Sequence, residues 1–156
     1  AALLATVLPA LDETTIIVPI PTIRAHIRQR GYDHMLLVAR EVARLRGVTC
    51  LPVLQRVTNT TNTGASRSER HAHAATAFRV SADIDPTATY LLIDDVYTTG
   101  ATLTEAAKLL RASGAKDLWI AATTRQPNRQ RHDIIVGSVK NRKYHDEFDT
   151  SWSSKT

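Results

Sequence analysis

An α/β domain built on a mainly parallel, twisted sheet with helices on both faces is the fold class that the sequence predicts, on three observations. Tyr90 to Ile93, Leu103 to Ala112 and Leu118 to Thr123 read as strand, helix and strand in succession, with Gly114 as the helix stop. Thr14 to Val18 is a short β-branched run ended by Pro19-Ile20-Pro21, the pattern of a buried strand running into a rigid loop. From Asp33, apolar residues recur at Leu36, Leu37, Ala39, Val42, Ala43 and Leu45 among Arg40, Arg44 and Arg46, and Gly47 follows. That spacing predicts an amphipathic helix of about three turns. Strands that are apolar throughout belong in a sheet covered on both faces, which favours parallel order.

The remaining elements are weaker. Leu3, Leu4, Val7, Leu8 and Leu11 fit one helical face broken near Pro9, expected to pack as an edge helix, and the apolar stretch is too short to cross a bilayer. A basic stretch with Arg24, His26, Arg28 and Arg30 follows the rigid loop after the first strand. Val48 to Val57 holds a second strand. Thr58 to Ala77 has no hydrophobic face, and a loop of that length inside a domain is expected to be functional. Phe78 to Val80 is a brief strand, residues 81–89 a connector, and Ile134 to Val136 a last strand. The expected division is one domain over residues 1–136, beginning as a fragment, and a polar tail over 137–156.

The 156 residues, 43% of them hydrophobic, suit one core. A net charge of +5 favours anionic partners, either phosphorylated metabolites or nucleic acid. The lone Cys50 allows no internal disulfide, and no cysteine and histidine cluster has zinc spacing, so reducing cytoplasm is the expected compartment and no membrane is expected as a partner. Met35 is the sole methionine, which suggests a piece of a longer chain.

The chemistry concentrates in Tyr90 to Thr102, YLLIDDVYTTGAT. Asp94 and Asp95 follow a parallel strand, where ligands of open α/β sheets bind, and two adjacent carboxylates repel unless a polyhydroxyl ligand or a cation offsets them. Thr98, Thr99, Gly100, Ala101 and Thr102 make a small-residue turn into a helix, whose backbone amides can converge on a phosphate. A purely structural account has Thr102 and Glu105 as a capping box, but it covers two residues of a longer pattern. The glycine motifs of nucleotide triphosphatases and of dinucleotide-binding folds are both missing from the sequence. A phosphoacceptor pair of aspartates would leave the threonine-glycine turn unexplained.

A second anion site could form at Pro21, Thr22 and Arg24, after the first strand, with Arg28 or Arg30 nearby; a solvated basic loop is the plain alternative. Asn62 to Arg70 has a glycine start and a charged centre, as a loop closing over a ligand would. His71 and His73 are two residues apart, not on one helical face, and no third ligand accompanies them, so they read as loop histidines.

The window Tyr90 to Thr102 resembles the phosphoribosylpyrophosphate-binding signature of type I phosphoribosyltransferases, departing mainly at Tyr97, where an aliphatic residue is more usual. The resemblance implies a type I phosphoribosyltransferase-like fold binding 5-phosphoribosyl-1-pyrophosphate. Asp94 and Asp95 would hold the ribose hydroxyls, Val96 and Tyr97 would complete the site, and Thr98 to Thr102 would wrap the 5-phosphate. Val18 to His34 and Thr61 to Phe78 narrow the likeness to the ComF family of competence-associated phosphoribosyltransferases. In that resemblance Pro21, Thr22, Arg24 and Arg30 belong to the pyrophosphate end, and Arg67, Glu69 and Arg70 are the catalytic candidates on the loop facing the donor. Asn62 and His34 stand where glutamine is more frequent, and His71-Ala72-His73 replaces a more basic stretch. The family's N-terminal four-cysteine zinc module is not in this sequence. Magnesium would arrive with the donor's pyrophosphate, with no direct protein ligand. Thr98 stands where hypoxanthine and guanine transferases carry an aspartate base, so that chemistry is disfavoured and the acceptor base stays open. The implied function is transfer of ribose 5-phosphate to a base with release of pyrophosphate, linked to competence and DNA uptake. The alternative is a non-catalytic module that senses the donor or binds single-stranded DNA. An oligomer is compatible with either.

Overall fold

Thr15, Ile16, Ile17 and Val18 carry the branched side chains that suit a strand buried on both faces, and in the computed structural model they form β1 (Thr15–Pro19). The structure describes residues 1–57, 77–97, 100–125 and 135–139. Around β1 the elements are α1 (Ala2–Val7), α2 (Arg24–Arg30), α3 (His34–Arg46), β2 (Thr49–Cys50), β3 (Leu54–Arg56), β4 (Phe78–Val80), β5 (Thr89–Tyr97), α4 (Ala101–Ala112), β6 (Asp117–Arg125) and β7 (Ile135–Ser138).

Five strands form one sheet in the order β2-β1-β5-β6-β7, parallel except for the antiparallel edge strand β7, while β3 and β4 pair antiparallel in a separate two-stranded sheet. Alternation along β5 divides the core. Tyr90 and Leu92 face one layer, with Leu103, Ala106, Ala107 and Leu110 of α4 and with Leu54 and Phe78 of the hairpin. Leu91 and Ile93 face the other, with Leu4, Ala5 and Leu8 around α1 and Met35, Ala39, Val42 and Ala43 of α3. Helices therefore cover both faces, as the sequence predicts.

Several local readings change. The basic stretch forms the short helix α2, closed by Gly31 in the left-handed region (φ 81), with no buried residue, so the plain alternative of a solvated loop does not hold for it. The segment Val48 to Val57 is not one strand: Pro52 interrupts it, β2 stays in the main sheet and β3 joins the hairpin. Within α3 the apolar spacing is only partly the core face. Leu37 and Leu45 are exposed, and Met35 is buried in their stead, because the seam pointing at the sheet runs Met35, Ala39, Val42, Ala43. Leu3 likewise faces solvent while Leu4 and Leu8 are buried. The last strand, β7, continues through Ser138, past the expected boundary at residue 136.

Arg46 has a structural task. One guanidinium nitrogen donates to the Ala5 and Leu8 carbonyls at 2.8 and 3.2 Å and the other to the Pro9 carbonyl, satisfying the chain where α1 ends. Asp33 caps α3, its carboxylate accepting from the Leu36 amide at 3.2 Å, and Gly47 closes the helix at φ 68. Among the described residues no helix is long and apolar enough to cross a membrane.

Candidate functional site

The strand order creates the site. From β1 the chain crosses to β2 on one side, and from β5 it crosses through α4 to β6 on the other, so β1 and β5 are neighbours whose connections diverge. Such a switch point opens a crevice beyond the carboxyl ends of the two strands. Pairing of β1 with β5 ends at Pro19 opposite Ile93, and the Ile20 amide makes a last bond to the Ile93 carbonyl at 2.9 Å. Beyond that point β5 keeps only β6 as a partner, through Asp94, Val96 and Tyr97. The acidic pair therefore lies inside a long strand, on the stretch from which β1 has turned away, rather than just after a four-residue strand.

Asp94 is half-buried and Asp95 exposed. The Asp95 amide donates to Asp94 Oδ1 at 2.8 Å, and the Thr123 hydroxyl donates to the Asp95 carbonyl at 2.7 Å, tying the pair's backbone to β6. Some of Asp94 reaches solvent, but its carboxyl is surrounded by enough protein that burial, followed by the neighbouring Asp95 charge, raises its pKa to about 7. The amide bond from Asp95 and the charge of Arg56 act in the opposite direction. A carboxyl shifted this far by burial and a like charge, at the carboxyl end of a parallel strand, makes Asp94 a candidate functional group.

Gly100 is the N-cap of α4, buried and at φ 72. No side chain caps this helix end: Thr102 lies within its first turn rather than at the cap, and Glu105 pairs with Lys108 at 2.8 Å, so the capping-box reading is corrected. A Cβ on Gly100 would lie 2.7 Å from the Tyr97 hydroxyl. Gly100→Ala is accordingly expected to cost about 1–2 kcal/mol, because an alanine resists the left-handed conformation and the Tyr97 ring must move. A thermal melt reads this as a lowered Tm, and an unchanged Tm would mean that the turn is not held as described.

Across the crevice, the loop after β1 carries Pro21 and Thr22. The Thr22 hydroxyl donates to Asp33 Oδ1 at 2.7 Å, so the residue that caps α3 also anchors this loop. Arg24 opens α2 and Arg30 closes it, both exposed; six helical steps separate them by about 9 Å, so α2 does not bring the two to one point. Val96 is exposed and Tyr97 half-buried on β5, while Ala101 and Thr102 begin α4. Arg67, Glu69, Arg70, Thr98 and Thr99 lie outside the described residues, as do His71 and His73. Among the described residues no three histidine, cysteine, aspartate or glutamate side chains group as a metal site.

Sequence reasoning missed Arg56. This half-buried arginine of β3 donates from Nε to the Pro21 carbonyl at 3.2 Å and lies over the Phe78 ring, 4.9 Å from its centroid. No motif marks it; an arginine two residues after Leu54, on the same face of a short strand as that apolar residue, was the available signal.

Residues 36–153 match the phosphoribosyl transferase domain family. Competence protein F of Haemophilus influenzae is 33% identical over 108 residues, covering 67% of this chain and 47% of that protein, so the chain spans about half the length of this curated relative. Among solved structures, a hypoxanthine phosphoribosyltransferase from Staphylococcus aureus aligns over 85% of this chain and 62% of its own, with a TM-score of 0.47 and 16% identity. The family match includes β5, the turn and α4; the loop after β1 precedes it and joins the site through strand order alone. With a mainly parallel sheet covered on both faces, the chain belongs to the phosphoribosyl transferase domain family and is of the ComF type within it.

Proposed function

We propose that the crevice binds 5-phosphoribosyl-1-pyrophosphate and that the domain transfers ribose 5-phosphate to a base, releasing pyrophosphate. The observation that supports this reading is the acidic pair and the glycine turn standing side by side on β5 and α4, facing the loop after β1 at the switch point. Asp94 and Asp95 accept hydrogen bonds from the two ribose hydroxyls, and the amides and hydroxyls of Thr98 to Thr102 surround the 5-phosphate at the positive end of α4. Pro21, Thr22 and Arg24 take the pyrophosphate end, with Arg30 contributing charge from farther along α2, and Arg67, Glu69 and Arg70 serve the reacting centre.

A magnesium ion would arrive on the donor's own phosphates, where it would neutralise the leaving group. The protein positions C1 of the ribose, excludes water and screens charge while a ring nitrogen of the base forms the C1–N bond and the C1–O bond to pyrophosphate breaks. Because ionised Asp94 accepts a stronger, charge-assisted bond from a ribose hydroxyl than the protonated carboxyl does, donor affinity is expected to rise with pH through about 7. Thr98 offers no carboxylate base, so hypoxanthine and guanine are expected to be poor acceptors. The printed name of the Haemophilus relative supports a role in competence.

One observation favours a second reading. Helix α2 exposes Arg24, His26, Arg28 and Arg30 and carries no acidic residue, which suits a module that senses the donor or holds single-stranded DNA without turnover. Titration with donor and magnesium, followed by pyrophosphate release over a panel of nitrogenous bases, separates the two. Binding with release for at least one base is expected. Binding without release for any base would favour the module, and no binding would overturn both donor readings.

A further inference from the structure

We propose that Arg56 is a positioning residue of the crevice: it fixes the loop after β1 through the Pro21 carbonyl and holds a positive charge against the Asp94–Asp95 pair. The inference rests on the donor-binding reading above and assigns a part in it to a residue outside both the signature and the basic helix.

Arg56 is the last residue of β3 and the register partner of Phe78 on β4. Phe78 is buried in the core, and the guanidinium lies over its ring at 4.9 Å from the centroid. A cation stacked on a core aromatic has already given up most of its side-chain freedom, so its charge is preorganised. From that platform Nε reaches the Pro21 carbonyl at 3.2 Å, joining the hairpin to a loop 35 residues away in sequence. The Pro21 carbonyl is thereby turned toward the hairpin, and the loop's backbone conformation is set with it.

The charge has a second effect. Burial lowers the pKa of Arg56 and the Asp94 carboxylate raises it, while Arg56 in turn favours the ionised form of Asp94. Among the described residues, the charges acting on Asp94 are Asp95 from its own strand and Arg56 from the hairpin. With a neutral residue at position 56, only the Asp95 amide bond still opposes burial and the Asp95 charge, and Asp94 keeps its proton to higher pH. An arginine that only packs the hairpin onto the core would alter stability and leave the pH profile of ligand binding where it was.

The test titrates the full chain with 5-phosphoribosyl-1-pyrophosphate and magnesium by calorimetry, across the range in which Asp94 ionises, for the wild type, Arg56→Gln and Arg56→Lys. Arg56→Gln is expected to weaken donor binding at neutral pH by about tenfold and to move the midpoint of its pH dependence upward. Arg56→Lys keeps the charge and is expected to leave the midpoint in place while losing affinity with the Pro21 bond. Circular dichroism establishes that each variant is folded. Wild-type affinity and midpoint in Arg56→Gln would overturn the inference; should that variant not fold, wild-type affinity in Arg56→Lys would overturn it instead. A wild type that does not bind the donor is a separate outcome, which removes the donor reading itself and this inference with it.

Discussion

Replacing both aspartates, Asp94→Asn with Asp95→Asn, is expected to abolish donor binding while leaving the fold intact. Each carboxylate offers a charge-assisted acceptor to a ribose hydroxyl, worth about 1.5–3 kcal/mol, so loss of both should reduce affinity by more than about a hundredfold. Unchanged affinity would sink the assignment of the site. The fold should tolerate the change because the carbonyl of an asparagine at 94 can still accept from the amide of residue 95, the bond that Asp94 now makes. Stability supplies a second readout. Asp94 is raised from 3.8 to about 7, so the folded state holds this proton more tightly than the unfolded chain. Its contribution is fully present below about pH 4, falls as pH rises toward about 7 and is flat above that. Thermal melts across this window should show the decline in the wild type and not in the double variant.

Leu92→Ala should have the largest effect on stability. Leu92 is 0% exposed, on the central strand, in the layer shared with Val18, Leu103, Ala106 and Ile120. Removing its branched end leaves a cavity between β5 and α4, a change that costs about 2–5 kcal/mol. Against a total of about 5–15 kcal/mol for a domain, this corresponds to a Tm lower by roughly 5–20 °C. The folded fraction should keep its donor affinity within a few-fold, since Leu92 faces the core and not the crevice. A loss of donor binding without loss of Tm would contradict the packing described above.

Donor binding and stability thus draw on adjacent residues of one strand. Leu92 and Ile93 are buried, and the next residue along is the carboxylate that the proposed ligand meets. Stabilising β5 and presenting Asp94 are therefore separable by mutation although they share a backbone.

Much of this was legible in the chain itself, for a local reason. Strand, acidic pair, glycine turn and helix occupy consecutive positions from Tyr90 onward, so connectivity alone brings them together, and caps such as Asp33 and Gly47 act within a turn of their own helix. The apolar runs were sufficient to predict a parallel sheet covered on both faces. What the sequence could not settle were the relations between distant segments. That Met35 and not Leu37 or Leu45 faces the sheet depends on how α3 is rotated against it. That α2 is helical, and that Pro52 sends β3 into a separate hairpin, depends on what those segments pack against. Strand order decides that β1 lies beside β5 and so sets the loop after β1 across from the aspartates. Arg56 joins segments far apart in sequence, through the Pro21 carbonyl and the Phe78 ring, and no periodicity encodes such a meeting. The sequence by itself determined the sugar-phosphate half of the candidate site, because covalent neighbours cannot separate; only the tertiary structure decided its opposite wall and the arginine that anchors it, because those rest on packing between strands.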